Sequence, residues 1–429
     1  MARILFLHQN FPGQFRHLAP ALAAEGHEVV ALGMAGQADR LPGVRYVVHQ
    51  ARVPADAQQQ APQLRDLYSK VLRGESAAAA LHRLKTEGFT PDIVFAHPGW
   101  GEALYAKDVF PRARLLIYAE YYYGAEGGDS HFDPEFSGPP DLASLQRLRL
   151  RNTHLLHAMA VADAGLSPTT FQADRHPAWF RDRISVIHDG IDTDRFRPDA
   201  RATVSLSGAG VTLRPGDEVV TFVSRQLEPY RGYHVFMRAL PELQRLRPNA
   251  RVVLVGGDGV SYGAAAPPGK TWKAIFRDEV MPRLDMSRVH FVGRLPHALL
   301  TQLMQVSAVY TYLTYPFVLS WSLMEAMSTG CLIVGSRTAP LQEVIEHGHN
   351  GLLTDFFDHG PLAETIADTL ARRDSLVHLR AAARQTIVDG YDLRRHCLPA
   401  QKRFVLGQAG AATFGRRTAR TVPLSPPPQ

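Results

Sequence analysis

Short apolar runs alternate along the chain with longer stretches in which apolar residues return every three or four positions. RILFLH (residues 3–8), EVVAL (28–32), RYVVH (45–49), DIVFA (92–96) and RLLIYAE (114–120) have the length and apolar continuity of strands buried on both faces. Between them lie helical patterns. FRHLAPALAAEG runs to Gly26, a residue suited to a helix C-cap, and LRDLYSKVLRGESAAAALHRLK forms a longer one. DLASLQRLRLRNTHLLHAMA reads as a further helix before the short strand AGLS. The pattern restarts near Ile184. A polar connector, residues 199–217, precedes EVVTFVSRQ (218–226), RVVLVGG (251–257), VHFVG (289–293), AVYTYL (308–313) and CLIVGS (331–336), each followed by a helical segment.

Strands alternating with helices predict an α/β fold of doubly wound parallel sheets. A chain of 429 residues exceeds one core. Two Rossmann-like units are expected, residues 1–183 and 184–390, with a ligand cleft between the carboxyl ends of their strands. Residues 408–429, rich in Gly, Pro, Ser and Thr, read as a disordered tail.

Composition narrows the function. With 45% hydrophobic and 21% charged residues the chain is that of a globular protein, and its formal charge of +6 favours phosphate-bearing ligands or an anionic surface. The basic residues form no block and do not interleave with aromatics, which argues against nucleic-acid binding. No run of 18 apolar residues and no signal-peptide pattern is present, so a cytoplasmic location is expected. Cys331 and Cys397 are too few for a disulfide framework or a cysteine zinc site. The 19 histidines lack metalloprotease spacing, and no metal or cofactor is expected.

The chemistry concentrates at residues 295–353. A strand, a loop with Pro316 and a helix starting near Ser320 carry Glu325. Free N–H groups at a helix start favour phosphate oxygens, Ser320 and Ser322 can cap it, and Glu325 can accept two hydrogen bonds from a ribose diol. The same pattern fits an amphipathic helix with a solvated Glu325. In SRQLEPYRG, Arg225 and Arg231 offer two cations to a departing diphosphate, or two ordinary surface charges. Gly13 lies where backbone must approach a ligand, and His97 and Glu120 end strands, either facing the cleft or serving as a satisfied buried histidine and a structural carboxylate paired with an arginine.

These segments resemble the retaining glycosyltransferases of family 4. EAMSTG with Glu325, EVIEHGHNGLL, RISVIHDGIDTDRFRP, VTFVSRQLEPYRGYHVF, VVLVGGDG, VHFVGRLP and the N-terminal HQNFPGQFRHLAPALAAEGHEV follow the family's order over residues 3–390. The resemblance implies a GT-B fold and metal-independent, retaining transfer from a nucleotide sugar, UDP-linked by prior and GDP-linked as the other option. The acceptor would be a glycan, lipid-linked or small-molecule hydroxyl in cell-surface polysaccharide or glycoconjugate synthesis.

By resemblance, Arg294 and Leu295 lie at the base, Phe317, Leu319, Ser320 and Trp321 line the donor site, and 391–407 crosses back to the first domain. The family's first glutamate of a pair eight apart falls on Phe317, which leaves the sugar open. A non-catalytic nucleotide-sugar binder and a sugar-nucleotide epimerase on the same fold are the alternatives. The Leu/Arg helix around Arg147, Arg149 and Arg151 suggests peripheral membrane contact or an ordinary solvated face. Asp192-Thr193-Asp194 reads as a turn, and GAAAPPGKT (263–271) lacks phosphate-loop spacing and carries prolines without N–H donors.

Overall fold

The computed structural model describes residues 1–34, 41–52, 54, 60–206 and 210–407; the expected tail over 408–429 lies outside the described residues. The first half forms a seven-stranded parallel sheet of β1 (Arg3–Leu7), β2 (Glu28–Gly33), β3 (Val44–Val48), β4 (Ile93–Ala96), β5 (Arg114–Tyr118), β6 (Ala164–Ser167) and β7 (Ile184–Val186). Its order is β3-β2-β1-β4-β5-β6-β7. After the hairpin β8 (Val204–Leu206) and β9 (Val211–Leu213) comes a six-stranded sheet. Its strands are β10 (Val219–Gln226), β11 (Arg251–Gly257), β12 (Val289–Gly293), β13 (Val309–Tyr312), β14 (Leu332–Ser336) and β15 (Leu352–Thr354), in the order β12-β11-β10-β13-β14-β15.

Each strand feeds two cores because successive side chains point to opposite faces. Ile4 and Phe6 enter one hydrophobic cluster, Leu5 and Leu7 the other, and Val220 and Phe222 are separated from Val219 and Val223 in the same way. Strand order reverses at β1/β4 and again at β10/β13. Loops leaving the carboxyl ends of strands at such a point diverge and open a crevice. Those loops carry Gly13 and His97 in the first sheet and Phe317 in the second, where Arg225 stands at the end of β10.

Four local readings change. Ile184 does not begin a second domain: β7 pairs in parallel with β6, Gly165 opposite Ile184, and completes the first sheet. Part of the expected connector is an antiparallel hairpin, whose Val204, Leu206 and Leu213 are buried in a core of the second sheet. The single helix expected over 141–160 is two, Leu142–Arg151 and Thr153–Val161, which meet at Asn152. The Asn152 side chain accepts from Tyr123 N at 3.0 Å and donates to Tyr123 O at 2.7 Å, which holds it at the break. Finally, β15 extends the second sheet beyond β14.

Two segments bind the halves together. The helix Leu398–Val405 returns to the first sheet, where Phe404 and Val405 join its core and Lys402 pairs with Glu25. Residues 121–137 make a strap in the opposite direction. Phe132 packs on Tyr315 and Phe356, with ring centroids 5.1 and 5.2 Å apart, and Phe136 on His234 and Trp272 at 5.1 and 5.3 Å. Asp133 accepts from Tyr315 Oη at 2.7 Å and lies 3.1 Å from His234 Nε2, while Arg238 grips Glu135 through both terminal nitrogens. Asp133, Glu135 and His234 come close enough to share an ion, but Tyr315 and Arg238 already engage both carboxylates.

Candidate functional site

A cavity of about 320 Å³ lies where the carboxyl ends of the two sheets face each other. His97 and Glu120 line it from the first sheet, Arg225 and Phe317 from the second. A wider depression beside Glu364 and His378, on the outer side of the second sheet, includes none of the sequence-selected residues.

Glu120 is held by a chain of polar contacts. Asn10 N donates to His8 Nδ1 at 3.0 Å, so the neutral His8 ring carries its hydrogen on Nε2. Burial, reinforced by His97, pushes the His8 pKa down to about 3. His8 Nε2 then meets Gln14 Oε1 at 2.8 Å, and Gln14 Nε2 donates to Glu120 Oε1 at 2.9 Å. His97 accepts at Nδ1 from Gly99 N at 3.2 Å and turns Nε2 towards Glu120 Oε2 at 3.4 Å. Its ring is fixed by stacking on Trp100 and Tyr118. Burial alone would raise the Glu120 pKa, but His97, His8 and Gln14 together hold it below the usual value. The result is an oriented carboxylate at the cavity wall. Gly13 makes this packing possible: its φ is +45°, and a Cβ there would stand 2.3 Å from His8 Nε2.

Across the cavity, Arg225 is exposed at the end of β10. The loop beside it is tied back by Gln226, which accepts from Gly259 N at 3.0 Å, and by Glu228, which accepts from Ser261 N at 3.1 Å. That loop brings Ser261 and Tyr262 to the cavity. Arg231 sits differently from its sequence neighbour. It is buried, and its Nη1 donates to Tyr312 Oη at 2.9 Å, Thr314 Oγ1 at 2.7 Å and Val318 O at 3.0 Å. This guanidinium nitrogen therefore shapes the loop that carries Phe317.

The helix Trp321–Ser328 begins as the sequence suggests, with Ser320 Oγ accepting from Ser322 N at 3.3 Å. Glu325, one turn in, is buried with Oε1 3.1 Å from His297 Nε2. Trp321 Nε1 donates to Asp189 at 2.7 Å, and Leu319 packs into the core below. Arg294 and Leu295 follow β12, where Arg294 Nε would lie 3.0 Å from a Cβ on Gly257.

His97, Glu120, Arg225 and Phe317 thus line one cavity. Gly13 supports it from behind, while Arg231, Arg294, Leu295, Leu319, Ser320, Trp321 and Glu325 are not among the residues lining it. Sequence reasoning missed Tyr262 and Lys70, which also line it, and Asp189 at the crossing between the halves; Arg151, read from sequence as part of a membrane-facing or solvated face, lines the cavity too. Asp189 had a local signal in the turn HDGID; Lys70 and Arg151 lie on helices and had none. Asp192 and Asp194 are both engaged by Arg394, at 2.8 and 2.7 Å, and the segment 263–271 leads into a helix capped by Thr271.

Residues 25–196 match the model described as "Glycosyl transferase family 4 group", and residues 210–386 match "Glycosyl transferases group 1". A D-inositol 3-phosphate glycosyltransferase of Nocardia farcinica is 30% identical over 208 residues, 47% of this chain and 44% of that protein. One of Mycobacterium bovis is 30% identical over 234 residues, 53% of this chain and 45% of that protein. The chain therefore matches less than half the length of these curated relatives. Sucrose-phosphate synthase from Thermosynechococcus elongatus superimposes with a TM-score of 0.70 at 17% identity, over 95% of this chain and all of that one. Anabaena HepE in complex with UDP-glucose gives 0.62 at 18%, with 95% and 100% covered. The fold is GT-B, and each of its two halves is similar to a glycosyltransferase family model.

Proposed function

We infer that this chain moves a sugar from a nucleoside diphosphate donor to an acceptor hydroxyl with retention at the anomeric carbon and without a metal. The observation that carries this reading is the meeting of Arg225 with Glu120 and His97 across one cavity at the switch points of both sheets. Glu325 takes the ribose and Arg225 the diphosphate, with Arg231 bracing the loop between them. Arg294 and Leu295 flank the base. Negative charge growing on the leaving diphosphate is stabilised by the Arg225 cation and by the positive end of the dipole of the helix Trp321–Ser328.

The acceptor oxygen attacks the anomeric carbon on the face from which the diphosphate departs. The bond to the phosphate oxygen breaks, and that oxygen takes the acceptor proton. Glu120, kept ionised by its neighbours, favours the positive charge that develops on the sugar ring. Lys70 and Arg151 put two cations at the acceptor end, with Asp66 beside Lys70. UDP is the first nucleotide to test and GDP the second.

Release of nucleoside diphosphate from UDP-, GDP-, ADP- and TDP-sugars, with the product anomer read by NMR, tests this. Slow hydrolysis or transfer with retention is expected. Binding without turnover favours the regulatory reading, and an altered sugar on an intact donor favours epimerisation.

No helix among the described residues is long and apolar enough to cross a membrane. The helix Leu142–Arg151 exposes Leu142 and Leu145 beside Arg147 and Arg149, while Arg151 turns to the cavity, and the exposed part supports peripheral contact with an anionic bilayer. Pelleting that stays constant as the anionic-lipid fraction of liposomes rises would remove that part of the reading.

A further inference from the structure

The first half brings two cations to the cavity, Lys70 and Arg151, that the departing diphosphate does not use. Close packing fixes both. The helix Arg65–Thr86 runs so near the turn after β4 that a Cβ on Gly101 would stand 2.2 Å from Lys70 O. The helix Leu142–Arg151 stops at Asn152, whose side chain holds the backbone of Tyr123. Arg151 is thereby set with its guanidinium carbon 3.7 Å from the centre of the Tyr123 ring, in the segment that follows Glu120.

The charges around this pair do not balance. Lys70 donates to Asp66, whose side chain is 58% exposed against 12% for the lysine. No carboxylate among the described residues forms an ion pair with Arg151. Burial lowers the Lys70 pKa; Asp66 opposes that, and Arg73 and Arg151 add to it. His154 lines the same wall, donates from Nε2 to Gly99 O at 3.0 Å and adds no charge, since burial and Lys70 push its pKa down to about 4. Glu120 is already met by Gln14 and His97. Asp66 alone therefore stands against two cations. An ammonium supplies a point charge and a guanidinium a planar set of N–H donors, a combination that matches the several oxygens of a phosphate group. A neutral hydroxyl would leave the excess charge uncompensated.

We propose that the acceptor carries a phosphate group, seated between Lys70 and Arg151, with its attacking hydroxyl turned towards Glu120 and the donor. This rests on the transferase reading above and adds the chemical class of the acceptor. The phosphate is a handle: none of its bonds changes during the transfer, and the product keeps it. The same two cations serve a soluble phosphate ester or a lipid headgroup, and the test separates these sources.

Titration calorimetry of the full chain in the presence of UDP or GDP compares glucose with glucose 6-phosphate and glycerol with glycerol 3-phosphate. Flotation compares phosphatidylcholine vesicles with and without phosphatidic acid. A phosphorylated ligand should bind about 10-fold or more tighter than its alcohol. Lys70→Gln and Arg151→Gln should each weaken it about 10-fold or more, the scale of a lost hydrogen bond to a charged group, and leave nucleoside diphosphate affinity unchanged. Should a variant fail to fold, the ester and alcohol pairs on the wild type decide alone. Binding of a soluble ester upholds the proposal with a soluble acceptor. Binding of phosphatidic acid alone, lost in both variants, upholds it with a lipid headgroup. Equal affinity for ester and alcohol without such vesicle binding, or ester binding indifferent to both variants, overturns it and leaves the transferase reading intact. Release of nucleotide from no donor overturns both.

Discussion

Asp189 accepts a hydrogen bond from Trp321 Nε1 at 2.7 Å, which joins the turn after the first sheet to the first residue of the helix that carries Glu325. Its other oxygen accepts from Tyr118 Oη at 2.8 Å, so one carboxyl touches both halves of the molecule. Burial pushes its pKa up to about 7. An unfolded aspartate titrates near ~4. Between those values the native state keeps a proton that the unfolded chain has released, so the contribution of Asp189 to stability falls as pH rises through that window and levels off above it. Urea midpoints at a series of pH values should show this slope in the wild type, and Asp189→Asn should flatten it. An unchanged slope in the variant would remove Asp189 as its source.

Glu325→Ala should weaken nucleoside diphosphate binding about 10-fold or more, the scale of losing hydrogen bonds to a charged acceptor. Titration calorimetry with UDP and GDP reads it directly. An unchanged Kd would place the ribose elsewhere.

Glu120→Gln preserves the shape of the wall and removes its charge. A loss of about 100-fold in kcat, with little change in melting temperature, is expected for a group that acts on developing charge. Because its neighbours hold the Glu120 pKa below the usual value, this carboxylate stays ionised throughout the near-neutral range. The wild-type rate should therefore show no acid limb from this group between about pH 5 and 8, and a steep one there would contradict its assignment.

Cys331 and Cys397 are both free and buried, and burial pushes their thiols up to about 11 and about 12. The thiolate is the reactive form. Neither should be alkylated by iodoacetamide at pH 8 until urea unfolds the chain. Fast labelling of the native protein would show that one of them becomes accessible.

The sheets were legible because parallel strands buried on both faces must be continuous apolar runs, and RILFL and VVTFV could hardly be anything else. The strand-end residues of the site were legible for the same reason: His97, Glu120 and Arg225 each follow such a run directly. The hairpin at Val204–Leu213 was hidden because three-residue strands in a Ser/Gly-rich stretch look like a turn. Arg231 looked like a twin of Arg225; its burial depends on Tyr312 and Thr314, 81 and 83 positions away. The strap was illegible for a stronger version of that reason. Asp133 finds Tyr315 across 182 residues, and nothing local in HFDPEF announces the rings it will meet.

The strap has a practical consequence for anyone exchanging halves between related proteins. A chimaera joined near residue 186 would give the second sheet a foreign segment in place of Phe132, Asp133 and Phe136, and leave the sockets around Tyr315, Trp272 and Phe356 unfilled. The unit to transplant is discontinuous: residues 121–137 have to travel with the second sheet, although they belong by sequence to the first.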